Sequence, residues 1–486
     1  MLARALVVAA PASGSGKTTV ATGLMAALTR RGTAVAPFKI GPDYIDPGYH
    51  ALATGRPGRN LDPVLVGAAR IGPLARHGSA GCEVAVVEGV MGLFDGRVPD
   101  GYGSTAQVAA LIGAPVVLVV DCRGQSRSLA ALLHGFRSFD PDTVLAGVVL
   151  NRVGSPRHEE VLRAACDEVG LAVLGALPRR TELAVPSRHL GLVTAAEHGP
   201  AALAAVDAMA ELVAAHLDLD AVLRLAEPLP PGETWDPIVA LTPPHPTPTR
   251  SAPDPGSRED TPTPASRGLG LRESGSGSAR VGSGGAVRVA LLGGPAFSFG
   301  YAEHPELLAA AGAEVVTVDP LRDTALPEGT AGLVLPGGFP EEHVAALGDN
   351  HGLLAAIRSL AATGAPIRAE CGGLLYLCRE LDGVPLVGAL DATAAMTGRL
   401  TLGYREAVAL TDSSGFAAGE RVAGHEFHHC AVTPRAGTAP AWGWRGGEPE
   451  GFAVGGVHAS FLHTHPAGSP TAVARFVGKA AARAGS

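Results

Sequence analysis

The chain has 486 residues, 46% hydrophobic and only 4% aromatic, enough for two or three domains whose cores must be built from Ala, Val, Leu and Gly. Its formal charge of −8 argues against a nucleic-acid binder, which carries a basic face. Six cysteines without a CxxC pair do not make a disulfide framework, so a reducing, cytoplasmic compartment is expected.

The first apolar run, Ala5–Ala10, is broken at once by Pro11 and Gly14. It is too short for a membrane helix and lacks a signal-peptide cleavage pattern, and no later run approaches a membrane span. It reads as a strand. Further strands are expected at Ala34–Phe38, Glu83–Glu88, Pro115–Val120, Val144–Leu150 and Leu171–Ala176, with helices between them such as Lys17–Arg30 and Ser126–Arg137. Several are apolar throughout, as parallel strands covered on both faces are. The alternation predicts right-handed βαβ units in an open, doubly wound α/β domain over residues 1–225. From Pro243 to Gly285 the chain is rich in Pro, Gly and Ser with no apolar periodicity. Such a stretch buries too little surface to offset its ordering entropy, and a flexible linker is drawn over 226–286. Alternation resumes at Val287–Leu292, with strands at Glu314–Val318, Gly332–Leu335 and Ala365–Glu370, so a second α/β domain is expected over 287–486.

In "VVAAPASGSGKTTV" a strand ends in a Gly-rich loop and a helix begins. Backbone N–H groups of Gly14, Ser15 and Gly16, with the helix N-terminus at Lys17, Thr18 and Thr19, form a cradle for phosphate oxygens. Lys17 supplies charge for the outer phosphates and Thr18 a hydroxyl for Mg²⁺. Pro11 stands where GxxxxGK[ST] has its first Gly, but the strand–loop–helix context supports a nucleotide site. Glu88 closes "EVAVVEGVMG" at a strand end suited to completing a metal shell beside Gly89 and Gly92. The segment "FKIGPDYIDPGYH" begins where the second strand stops and gathers Lys39, Asp43, Asp46 and His50. Its two acids bind metal or substrate, or they only make turn hydrogen bonds; composition leaves both open.

In the second half, "GAPIRAECGGLLYLC" reads as strand, sharp turn and helix with Cys371 at the turn, a nucleophile elbow in logic. A helix N-terminus favours the thiolate, while Cys378 reads as packing. Gly337 and Gly338 in "LVLPGGFPEE" end a strand and offer N–H groups for an oxyanion hole. Candidate bases are His458, His463 and His465 in "GGVHASFLHTHPAG". "HEFHH", His425 to His429, matches the zinc-protease pattern H-E-x-x-H but is flanked by Gly424 and the strand-like "CAVTP". That chemistry needs both histidines on one face of a long helix, so zinc is rejected here.

Together "SGSGKTT", "FKIGPDYIDPGYH", "VVEGVMGLFDG", "PSRHLGLVTAAE", "AECGGLLYL", "GHEFHH" and "ASFLHTHPA" resemble the cobyrinic and hydrogenobyrinic acid a,c-diamide synthases over both domains but not the linker. The resemblance implies a dethiobiotin-synthetase-like P-loop domain followed by a class I glutamine amidotransferase domain of flavodoxin-like fold. It implies that Cys371, with His463 as base, takes ammonia from L-glutamine. ATP and Mg²⁺ then activate carboxylates of a corrin acid as acyl phosphates at Lys39, Asp43, Asp46 and Glu88, with Thr18, Asp43 and Glu88 as metal partners. Other class I amidotransferases carry Glu two residues after the base; here that position is His465, so the third member is absent or comes from elsewhere. Cobyric acid synthase has the same domain order but a Gln-Asn-Met pattern where this chain has "GPDYIDP". The alternative of another class is an ATPase switch of the partitioning type, against which Cys371 and the whole second domain argue. The sequence leaves open whether the corrin carries cobalt, the order of amidation and the oligomeric state, a homodimer included.

Overall fold

The computed structural model describes residues 2–179, 187–188, 191–192, 194–242 and 286–485. In the first domain, β1 (Arg4–Ala9), β2 (Val35–Ile40), β3 (Arg59–Leu61), β4 (Val84–Glu88), β5 (Val116–Asp121), β6 (Leu145–Val153) and β7 (Val173–Pro178) form one parallel sheet. Their order is β3-β2-β4-β1-β5-β6-β7. The inner strands are buried on both faces, which is why they carry Val and Ala without alternation. Helix α1 (Lys17–Arg30) packs so closely on helix Pro200–His216 that a Cβ at Gly23 would lie 2.5 Å from the Met209 carbonyl. With few aromatics, the core is filled by such close backbone approach.

Residues 226–242, assigned to the linker from composition, are folded instead. Glu227–Pro228 (β8) pairs antiparallel with β1, and the buried Trp235 ring stands edge-on to His77 at 4.9 Å. The Arg76 guanidinium holds the carbonyls of Pro230 and Glu233. A Pro-rich stretch packs when single side chains find distant partners, and composition does not register that. Residues 243–285 lie outside the described residues, as do Pro186, His189, Leu190 and Val193 of "PSRHLGLVTAAE".

The second domain holds β9 (Val287–Leu292), β10 (Ala313–Val318), β11 (Thr330–Leu335) and β12 (Ile367–Glu370), in the parallel order β10-β9-β11-β12. Beyond β12 the sheet continues through two later strands, Phe452–Val454 and Val457–Ser460. A further sheet was not expected from the sequence: the long antiparallel pair β13 (Thr393–Ala409) and β14 (Arg421–Thr433), with His463–Thr464 alongside β14.

The two domains share a junction. One apolar cluster contains Leu61 and Leu65 of the first domain with Tyr301, Leu307 and Phe476 of the second. Around it, Arg59 pairs with Glu303 (2.7 Å) and Glu306, His77 meets Glu306 at 2.9 Å, and the Tyr404 hydroxyl donates to Asp62. Among the described residues no helix is long and apolar enough to cross a membrane.

Candidate active sites

The carboxyl ends of β2, β4 and β1 lie side by side, the edge where open parallel sheets bind ligands. Strand register sets Lys39 opposite Glu88, and Glu88 opposite Val8 at the entrance to the Gly-rich loop. Lys39 Nζ lies 2.9 Å from Glu88 Oε1, 2.5 Å from Asp46 Oδ2 and 3.9 Å from Asp43 Oδ2. The Thr18 hydroxyl donates to Glu88 Oε1 at 2.6 Å and reaches Asp46 Oδ2 at 3.3 Å. His50 Nε2 holds the other Glu88 oxygen at 2.7 Å. The expected residues therefore meet. Asp43 Oδ1 accepts the N–H groups of Ile45 and Asp46 and shapes the turn while its Oδ2 faces Lys39, and Asp46 stands nearest to Thr18.

Gly14 and Gly16 adopt left-handed φ of 78° and 97°, and a Cβ at Gly16 would strike Asn151 Nδ2 at 2.2 Å. Asn151 in turn donates to Ser15 O, and Arg152 to Gly14 O, both at 2.9 Å. Asn60 fixes the acidic loop through the carbonyls of Gly41 and Asp43. Sequence reasoning missed all three. The available signal was that Asn151 ends an apolar strand on the nucleotide edge. Lys17 donates to Met91 O at 2.5 Å, so its charge rests inside the protein.

Burial disfavours every charge here, and pairing decides which survive. For Lys39 burial is outweighed by Asp46, Glu88 and Asp43, so the ammonium is held more firmly than usual. For Glu88 burial is outweighed by Lys39 and His50, which keep it ionised. Asp46 is pushed up by burial and by its acidic neighbours Asp43 and Glu88, against Lys39. Lys17 is lowered by burial and by repulsion from Lys39.

Cys371 stands between β12 and the short helix Gly372–Leu377 at φ 49°, ψ −106°, a conformation side chains other than glycine rarely adopt. Its N–H donates to Ser460 O at 2.8 Å, which holds the strained turn. The expected thiolate is not its resting form. Burial, then Cys430 and Glu341, push the thiol well above its ordinary range, and a six-residue helix does not reverse that.

His463 is 1% exposed and its ring lies along Gly337, where a Cβ would come within 2.5 Å of Cε1. Burial, then the His428 charge, lowers it to about 3 against Glu426, so it is a neutral imidazole. Its Nδ1 has no hydrogen-bond partner among the described residues and faces Glu370 Oε2 at 3.9 Å. Glu370, missed in the sequence although it precedes Cys371, is held by Arg368 (2.9 Å) and the Thr464 hydroxyl (3.1 Å). The other two histidines go elsewhere. His458 is packed between Trp442 and Phe416, and His465 sits 4.1 Å from the Tyr301 ring and 3.7 Å from Glu303. Of the oxyanion glycines, Gly338 N would lie 3.0 Å from a Cβ on Gly372, and Gly337 O accepts the Phe299 N–H. "HEFHH" lies on β14 as extended chain, without the helical geometry of H-E-x-x-H.

Between the two centres stands Tyr44, directly after Asp43 and two residues before Asp46. Its ring stacks on Phe299 (5.2 Å, 12°) and lies 5.0 Å from both Tyr301 and His463.

A family described as CobQ/CobB/MinD/ParA nucleotide binding domain matches residues 6–193, and one described as CobB/CobQ-like glutamine amidotransferase domain matches 288–471. The chain is 58% identical to the hydrogenobyrinate a,c-diamide synthase of Streptomyces coelicolor, over 97% of this chain and 96% of that one. It is 55% identical to the protein of that name from Mycobacterium tuberculosis, over 99% of both. Identity to the cobyrinate a,c-diamide synthase of a Synechococcus species is 38%, over 97% of both.

Proposed function

We propose, from the premise that this chain belongs to the corrin a,c-diamide synthase family, how its two centres divide one reaction. The enzyme is a glutamine-dependent ligase that uses ATP to convert carboxylates of a corrin acid into carboxamides in cobalamin synthesis. Its preferred substrate is the cobalt-free acid, since relatives named for hydrogenobyrinate reach 58% identity against 38% for a relative named for cobyrinate.

In the second domain, Cys371 Sγ attacks the side-chain carbonyl of glutamine while neutral His463 takes the thiol proton. The N–H of Gly338 faces the developing oxyanion. Collapse releases ammonia and leaves a thioester, which water cleaves to glutamate. In the first domain the γ-phosphoryl group of ATP passes to a substrate carboxylate, giving ADP and an acyl phosphate. Ammonia attacks the acyl carbon and phosphate leaves, a far better leaving group than oxide. Gly14, Ser15, Gly16, Lys17 and Thr19 cradle the phosphates. The oxygens of Thr18, Glu88 and Asp46 suit Mg²⁺, a hard cation that prefers oxygen ligands and neutralises charge on transferring phosphoryl groups. Lys39, released from Asp46 and Glu88 as substrate arrives, meets the substrate carboxylate.

The observation that carries this reading is the single loop from Ile40 to Pro47, which supplies acids to the first centre and the Tyr44 ring to His463 of the second. The test is an assay with ATP, Mg²⁺, glutamine and each corrin acid, read by mass spectrometry. Two carboxylate-to-amide conversions, faster on the cobalt-free acid, are expected. ATP hydrolysis without amidation of either acid would refute it.

A further inference from the structure

One face of the β13–β14 pair belongs to neither of the two centres. Along β14, Glu426 pairs with Arg405 (2.6 Å) and His428 stacks on Phe461 (3.8 Å), so these two turn into the amidotransferase domain. The two-residue period of a strand puts His425 and Phe427 on the opposite face. Register pairs His425 with Tyr404 and Phe427 with Leu402. The first pair is anchored to the synthetase domain through the Tyr404 hydroxyl, which donates to Asp62 at 2.9 Å, while buried His425 lies in register with His463.

One step further along the hairpin the character changes. Leu402 is 56% exposed, Leu400 41%, and Phe427 is half-buried. Contiguous large apolar side chains left in water mark a binding surface, where scattered single ones do not. Arg399, next in the chain and within the stretch between Met396 and Thr401 where the pairing register slips, has no side-chain partner among the described residues. Arg97, on the loop that follows Glu88, reaches Glu406 of β13 at 3.5 Å and brings that loop alongside the hairpin. The loop's Met91 and Val98 are also exposed.

We propose that Leu400, Leu402 and Phe427, with Arg399 at their edge, form the shelf on which a flat face of the corrin macrocycle rests. The occupant follows from chemistry and continuity. A corrin acid presents broad apolar faces with carboxylates around its rim, and the shelf offers an apolar surface with a free cation beside it. The shelf is the next same-face pair beyond Tyr404 and His425, and Tyr404 reaches Asp62 of the synthetase domain, so a ring seated there lies on the synthetase side of the hairpin with its rim carboxylate directed to the Lys39 ammonium. The "GHEFHH" motif then has a division of labour: Glu426 and His428 serve the amidotransferase side, and His425 and Phe427 face the corrin. This inference rests on the synthetase reading of the first domain.

The test is steady-state kinetics of the full-length Leu402→Ala/Phe427→Ala variant, with Val239→Ala, an exposed apolar residue on helix Pro237–Leu241, as control. Loss of apolar contact made equally in ground and transition states raises KM and spares kcat. The corrin KM should rise roughly 10- to 100-fold, with KM for ATP and glutamine and the glutaminase rate within about twofold of wild type. Arg399→Ala should raise the corrin KM about threefold, an effect that disappears at high salt. An unchanged corrin KM in an otherwise active double variant overturns the shelf. So does a change of sedimentation in place of KM, which would make the face a contact between copies of the chain. If the wild-type enzyme amidates no corrin acid, the synthetase reading itself falls and the shelf with it.

Discussion

The two centres occupy equivalent places, the carboxyl ends of parallel strands, yet are stored in opposite electrical states. Around Glu88 the charges are already paired: Lys39, Thr18 and His50 hold its two oxygens, and Lys39 also holds Asp46. Around Cys371 the two groups proposed to react are neutral, a buried thiol and the His463 imidazole, whose Nδ1 has no hydrogen-bond partner among the described residues. A centre that handles phosphoryl charge keeps surrogate ions until its ligands displace them. The pair proposed to make ammonia is kept buried and neutral, with the Glu370–Arg368 ion pair beside it and its order stored in the backbone of one residue.

The comparison breaks first at the thiol. Cys371→Ala should lower glutamine-driven amidation at least about 10⁴-fold and leave ammonia-driven amidation within twofold. Equal loss with both nitrogen donors would mean that the centres are not separable. Next, Glu88→Gln removes the anion that Lys39, Thr18 and His50 share, and amidation should fall about 10³-fold while glutaminase stays within threefold. An unaffected amidation rate would take Glu88 out of the centre. Glu370→Gln sharpens the picture of the neutral site. At 3.9 Å the carboxylate orients His463 loosely, so kcat/KM for glutamine should fall about 10- to 100-fold, less than a directly bonded orienting acid costs. The smallest effect is one of pH. With His463 lowered to about 3, the neutral base persists on acidification and is lost only as pH falls through that value. kcat/KM for glutamine should therefore vary less than threefold between about pH 7.5 and 5.5, a range over which an ordinary imidazole passes from mostly neutral to mostly protonated. A tenfold loss across that range would place a charged imidazole in the site.

The nucleotide loop was legible because its chemistry is contiguous: Gly14 through Thr19 lie within one strand–loop–helix unit. Lys39, Asp46 and Glu88 were legible because strand ends on one edge of a parallel sheet must converge. That Asp43 also shapes the turn, and that Asp46 lies nearer to Thr18, was not, since two acids three positions apart look alike until the turn is folded. Nor could spacing separate His458, His463 and His465; their different neighbours come from tertiary packing. Glu370 escaped notice because its link to His463 depends on the pairing of β12 with a strand far along the chain. The thiolate expectation failed for the same reason, as a local helix end does not report how deeply the elbow is buried. The β13–β14 pair was hidden because buried and exposed positions do not alternate cleanly along either strand.

Tyr44 joins what chemistry separates. Asp43 beside it and Asp46 two residues on carry charges of the first centre, and its ring lies 5.0 Å from His463 of the second. Peptide links are nearly inextensible, so any movement of Asp43 or Asp46 around an arriving ligand must be absorbed within two residues of that ring. The loop is thus a short mechanical lever with its load at one catalytic domain and its tip at the other. In the proposed reaction, the arrival of ligand at the acids and the placement of His463 therefore share one short stretch of backbone.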